Sequence, residues 1–368
     1  ADADAGLLLW APVARRERPR RARLWLTVPP SVELRFAPVD SPARATVSTT
    51  GLAIEVGPTD GPAEVIATVR LVDPLLSDAP GPTGHAAGPS VAEVEIPVGD
   101  VQLRREARWH VQQLRGMRVP DPWSGRRFVM QGSAYAFVHG LHGAPRDEAF
   151  VVAALAHLDP TSAREALVAM TSMARPDGTF HYAHAGYGAV LSGGVHAAPT
   201  DLPLFWLWAV AEYVAATGDR SVLREVAPAR GVRDSGSRRS VAEVTVLAAR
   251  AIEERVGIGP HGLLRVGSGD WADPISLMVR RRRAFHRDGE STFNTGMALA
   301  VLPMAAHILD ALDPAGTRRR ADLLGGLDTA LERSWNGQWY LRGWDGSGSP
   351  IGRAHCFLDA QLWPIIAG

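Results

Sequence analysis

Near residue 100 the hydrophobic pattern of this chain changes period, and that break constrains the fold more than any other feature. Before it, apolar residues come in short runs, several of them alternating: LWLTV (24–28), VELRFAPV (32–39), TVSTTGLAIEVG (46–57), AEVIATVRLV (63–72) and VAEVEIPV (91–98). Pro, Gly and Asp separate them. A period of two with turn residues at this spacing predicts the strands of a β-sandwich. DAPGPTGHAAGPS (78–90) reads as a loop. After the break, apolar positions return at helical spacing. RREARWHVQQLRG (104–116) stops at Gly116 and reads as a linker helix. Helices are predicted at 147–158, 161–174, 202–219, 241–257, 292–314 and 316–335, and another starts at 358. The second of these opens with Thr and Ser and carries Glu165 soon after, a start that resembles a capping box.

The loops between these helices are unusual. DGTFHYAHAGYGAVLSGG (177–194) and HGLLRVGSGDWADP (261–274) concentrate Gly, Asp, His and aromatic residues. An all-α array whose connections carry the polar and aromatic side chains predicts a toroid of helical hairpins with its site at one rim. A solenoid is the alternative, although no tetratricopeptide or HEAT period is present. The predicted organisation is a β-sandwich at 1–100, a linker helix at 101–120 and a helical catalytic domain at 121–368.

Composition narrows the function classes. The chain is 46% hydrophobic over 368 residues, enough to bury a sizeable core in two domains. Lys plus Arg equals Asp plus Glu at 39 each, so the basic excess of a nucleic-acid binder is missing. Cys356 stands alone and can form neither an internal disulfide nor a Cys-rich zinc site. No leader-like segment and no continuous apolar run of the ~20 residues a membrane span needs is evident, so a cytoplasmic protein is expected.

Three stretches resemble glycoside hydrolase family 94, the cellobiose-phosphorylase group, and more distantly other (α/α)6 glycosidases. They are GPHGLLRVGSGDWADP (259–274) with GES (289–291), TDLPLFWLWAVAEYVAATGD (200–219), and SWNGQWYLRGWDGSGSPIG (334–352) with AQLWPIIAG (360–368). The resemblance covers roughly residues 104–368 and implies an (α/α)6 toroid preceded by a β-sandwich. It also implies an inverting enzyme acting on an oligosaccharide, with inorganic phosphate as co-substrate, no cofactor and a homodimer. By the same resemblance Asp273 is the general acid, Trp271 lines the sugar subsite, and Asp201 and Gln361 bind sugar. Ala272 stands where the family has Asn. The family's Arg-Asp pair has no counterpart in FVHGLHG (137–143), where His139 and His142 are the candidate replacements. The family's phosphate loop lies beyond the segment matched by AQLW, so the catalytic domain is expected to be incomplete at its C-terminus.

The residues support that chemistry on their own terms. Breaking a glycosidic bond requires a proton on the leaving oxygen and a nucleophile at the anomeric carbon. An acid that keeps its proton near neutrality needs burial against a ring or a like charge; Trp271 and Asp270 are the candidates to supply these to Asp273, although Asp270 reads first as structural, orienting the loop. A capped turn before Pro274 is the structural alternative. A hydrolase would need a second carboxylate. Glu290 and Asp359 are the candidates, each at a helix start where capping competes. His181 and Tyr182 of HYAH (181–184) are candidate sugar contacts, and the two His are not backed by the Cys or acids of a metal site. The run RRRR (280–283) reads either as a solvated face or as a phosphate contact. Phosphorylase, hydrolase and non-catalytic sugar-binding protein are the functions that remain.

Overall fold

In the computed structural model the described residues are 5–8, 22–26, 32–38, 43–48, 51–56 and 65–71, and from 101 onward all but 122–123, 131–142, 185–189, 192–198, 231–235 and 274. The chain divides into two compact units, Ala1–Ala92 and Glu93–Gly368.

In the first unit the alternating runs form two three-stranded antiparallel sheets. Val65–Leu71 lies between Ala5–Leu8 and Val32–Pro38, and Gly51–Val56 lies between Ala22–Leu26 and Ala43–Ser48. The run predicted as one strand over 46–57 is a hairpin in which Ser48 faces Gly51. The loop at 78–90, the strand at 91–98 and the side-chain packing a sandwich requires lie outside the described residues.

The second unit is mostly helical. Helix α1 (Val101–Gly116) precedes a hairpin of Arg118–Asp121 with Arg126–Val129. Helix α2 (Pro145–Leu158) starts with Pro at a position whose N–H would be unsatisfied, and Asp147 complements the positive end of its dipole. Asp159 ends α2 and begins α3 (Pro160–Thr171): its side chain accepts from the Ser162 amide at 3.2 Å, one turn before the chain has reversed. Helix α4 (Leu202–Thr217) is apolar on every side and accordingly buried, and it stops at Gly218 in the left-handed region (φ 69°). Helix α5 (Val241–Arg250), capped by Ser240, runs into a π-turn at Ala251–Val256. Two short helices follow, α6 (Ile275–Met278) and α7 (Arg282–Asp288), then α8 (Thr292–Leu312), α9 (Thr317–Arg333) and α10 (Asp359–Ala367).

Alternate helices pack side by side: α2 on α4, α4 on α8, α8 on α10. The intervening α3, α5 and α9 pack behind them, and one continuous apolar core runs from Val129 to Trp363. Helix α8 contributes much of that core. At 21 residues it is long and apolar enough to cross a membrane, yet more than half of its most apolar window is inside the protein, as for a core helix.

The alternation places four helix starts together. The first turns of α2 and α10 carry Arg146 and Asp359, and Asp201 and Ser291 are the N-cap residues of α4 and α8. Hydrogen bonds and ion pairs connect all four. Helix N-termini favour negative charge, which accounts for acids gathering at this end.

Candidate active site

Arg146 organises the site. A cation in the first turn of a helix opposes the dipole, and burying one costs more still, so its partners must compensate. They do so three times. Arg146 Nε donates to Asp201 Oδ2 at 2.6 Å, and Nη2 donates to Asp201 Oδ1 at 3.1 Å and to the Asp270 carbonyl at 2.8 Å. Nη1 donates to Asp273 Oδ1 at 2.5 Å. The guanidinium also lies over the Tyr182 ring, 5.7 Å from its centre. Burial works against the charge on Arg146, but Asp201 and then Asp273 outweigh it and raise its pKa.

Asp201 occupies an N-cap position but does not cap. Its side chain makes no capping bond to α4, and both oxygens go to Arg146. Burial pushes its carboxyl up to about 6 against the pull of Arg146, and the nearby Asp270 charge adds to the rise. A residue type favoured for local capping has been diverted to a long-range contact.

Asp273 sits at the rim, its side chain 30% exposed. Arg146 holds Oδ1, and the Tyr182 hydroxyl donates to Oδ2 at 3.1 Å. The sequence reading placed Asp270 and the Trp271 ring around this carboxyl. The structure gives it a guanidinium and a phenol instead. Asp270 is buried and turned away: Oδ1 accepts from Arg342 Nη2 at 2.5 Å and from the Ala272 amide at 3.1 Å, and Oδ2 accepts from Ser291 Oγ at 2.5 Å. Arg342 and these hydrogen bonds overcome the burial penalty and hold Asp270 below the usual carboxylate range. Asp270 thereby fixes the turn that carries Asp273.

Trp271 packs on Phe150 and Phe205, with ring centroids 5.3 and 5.8 Å away. Trp271 is 41% exposed and Phe150 43%. Phe150 lies one helical turn beyond Arg146 on α2, on the same side of the helix, and Trp271 lies two residues before Asp273.

The polar atoms of Glu290, Asp359 and Gln361 have protein partners of their own. Both oxygens of buried Glu290 serve the turn before the acid loop: Oε1 accepts from the amides of His261 (2.9 Å) and Leu263 (3.2 Å), and Oε2 meets His261 Nδ1 at 2.5 Å. Asp359 lies 2.9 Å from Arg342 Nε and so joins the Asp270 network. The Gln361 amide bonds only backbone, accepting from the Tyr340 amide and donating to the carbonyls of Tyr340 and Phe357. This ties α10 to the segment before Arg342. The His181 amide donates to the Met173 carbonyl. His139 and His142 lie outside the described residues. Arg280–Arg283 are exposed, at and before the start of α7. Among the described residues no cluster of three or more His, Cys, Asp or Glu is arranged to hold a metal.

Sequence reasoning missed Arg146, Arg342 and Phe150. A signal for the first was present: Arg146-Asp147 stands three residues past the stretch in which an Arg-Asp pair was sought, and its Arg falls in a first helical turn where a cation is out of place.

Fold and site define a carbohydrate-active catalytic domain. The chain belongs to the glycosyl hydrolase 94 superfamily, whose catalytic-domain model matches residues 127–368. It is 31% identical over 179 residues to the 3-O-β-D-glucopyranosyl-β-D-glucuronide phosphorylase of Paenibacillus borealis, a match covering 46% of this chain and 22% of that protein. It is 30% identical over 199 residues to the cyclic β-(1,2)-glucan synthase NdvB of Rhizobium meliloti, covering 48% of this chain and 7% of that one. Among solved structures it is similar to a rhamnosidase from Klebsiella oxytoca with rhamnose bound. That likeness has a TM-score of 0.49 and 13% identity over 94% of this chain and 64% of the other. The chain thus spans under a quarter of the length of the curated relatives it matches.

Proposed function

We propose that the helical unit is part of an (α/α)6 toroid that cleaves a β-linked gluco-oligosaccharide by inverting phosphorolysis, with Asp273 as general acid. The observation that carries this reading is the setting of Asp273. Its carboxyl is held by Arg146 from α2 and Tyr182 from the neighbouring loop, and its own loop and α2 carry the half-exposed rings of Trp271 and Phe150. Oδ1 is ion-paired with Arg146, and Oδ2, which accepts the weaker bond from the neutral Tyr182 hydroxyl, is assigned the proton that passes to the glycosidic oxygen. As the leaving sugar takes that proton, a phosphate oxygen bonds the anomeric carbon from the opposite face. The products are a sugar 1-phosphate and a shortened saccharide.

Phosphate as nucleophile is favoured over water by the carboxylates. Inverting hydrolysis needs a base about 6.5–9.5 Å from the acid. Glu290 and Asp359, the sequence candidates for it, are committed to the His261 turn and to Arg342. Similarity to a glucuronide phosphorylase points the same way. The test is to incubate the protein with a panel of β-linked gluco-disaccharides, with and without phosphate. Sugar 1-phosphate appearing only with phosphate supports the reading. Free sugar without phosphate makes the protein a hydrolase, and binding without turnover makes it a sugar-binding protein.

A further inference from the structure

Directly behind Arg146 and Tyr182 lies a second pair of titratable groups that the reaction does not use. Glu148 follows Arg146 by two residues in the first turn of α2, and His184 follows Tyr182 by two residues in a short strand. Glu148 Oε1 is 3.6 Å from His184 Nε2, and both side chains are almost completely buried. That separation is within ion-pair range and longer than a hydrogen bond. A methyl group at Gly143 would lie 2.5 Å from each of these two atoms, so only glycine fits there. The Gly143 carbonyl accepts the His184 amide at 3.0 Å, and the Phe128 ring meets the imidazole edge-on at 4.5 Å.

The charges around Glu148 pull both ways, and burial outweighs them. Arg230 is the facing cation, but it already binds Asp121 and Ser172. Asp147 on the same helix and Asp121 across the interface are both acids. Burial pushes the Glu148 carboxyl up to about 8; Arg230 lowers it, and Asp147 and Asp121 raise it. A carboxyl in such a place keeps its proton or passes it to a neighbouring imidazole.

We propose that Glu148 and His184 are positioning residues for the acid site: the one proton this buried pair holds keeps it neutral and keeps Arg146 and Tyr182 against Asp273. This inference rests on the reading of Asp273 as the acid. When that proton leaves, a net negative charge appears in the turn that carries Arg146. A buried unpaired charge is not tolerated in place. The turn opens to hydrate it, and Arg146 and Tyr182 lose their register with Asp273.

The test compares the parent protein with Glu148→Gln in two measurements. The first is thermal melting against pH. Glu148 binds its proton more tightly folded than unfolded, so the stability it contributes is complete below about 4.5 and is lost as pH rises through about 8. The parent melting temperature is expected to fall across that window, and the variant's to fall less. The second is kcat/KM against pH. The parent is expected to lose activity above about pH 8, and the variant to carry that limb at least about one pH unit higher. Superimposable melting curves overturn the retained proton. A melting difference with an unmoved activity limb overturns the positioning role. If the parent turns over no glycoside, the acid reading fails, and the melting curves still decide the pair. If Glu148→Gln does not fold, the His184 ring shifts of the parent are followed by NMR; no titration step between about pH 6 and 9 overturns the inference.

Discussion

Arg146 grips Asp201 through two nitrogens and, with a third, holds the rim carboxylate Asp273 at 2.5 Å. One guanidinium therefore joins the start of α4 to the loop that carries the proposed acid. In this clamp Asp273, two residues from the half-exposed Trp271, is held on one oxygen by Arg146 and on the other by Tyr182.

Asp273→Asn is expected to lower kcat by about 10²–10⁴ while leaving the fold intact, because the side chains are nearly isosteric and acid catalysis is worth that much. Steady-state turnover beside a far-UV melt checks both halves. Retained turnover removes Asp273 from the reaction.

Asp201→Asn tests the clamp and its pH dependence. With its pKa raised to about 6, Asp201 gains a proton as pH falls through that value, and Arg146 loses its charged partner. Substrate KM is expected to rise as pH drops below about 6 in the parent. In the variant KM is expected to be high and flat across the same range. The folding sign runs the other way: folded Asp201 binds its proton more tightly than unfolded, so its contribution to stability falls as pH rises from about 4 to about 6.

Arg342→Met leaves Asp270 buried with its charge uncompensated and releases Asp359. Removing one partner of a buried ion pair costs about 3–5 kcal/mol. The urea midpoint is expected to drop accordingly, and activity to fall with it because Asp270 no longer fixes the turn. A variant as stable as the parent would show that Arg342 does not support the loop.

Trp271→Ala and Phe150→Ala remove half-exposed rings, so little core packing is lost. Glycoside binding by calorimetry is expected to weaken about tenfold for each, on the order of 1–1.5 kcal/mol for an aromatic contact. Unchanged affinity in both variants would remove these rings as a sugar platform.

The pattern of helices was legible because it is local. Asp159 between Leu158 and Pro160 marks a stop and a start, Gly218 marks an end, and the apolar periodicity of α2, α4 and α8 marks what is buried. The split of 46–57 into a hairpin was not legible, since the run is β-like on both sides of Ser48 and Gly51. The acid loop was visible as GDWAD, and so was a structural, loop-orienting role for Asp270; its partners were not. Asp270 stands three residues from Asp273 in sequence, but its charge is spent on Arg342, 72 residues away. Glu290 and Gln361 have the residue types of a site and spend their polar atoms on turns and backbone.

The order of residues alone determined the order and rough extent of the long helices, and that an aspartate–tryptophan loop follows α5. Those properties depend on neighbours within a few positions. Tertiary structure decided which charges meet: Arg146 finds Asp201 55 residues away and Asp273 127 residues away. A single charged side chain has no periodicity to betray its partner. Only the packing of alternate helices, start beside start, brings those groups within bonding distance.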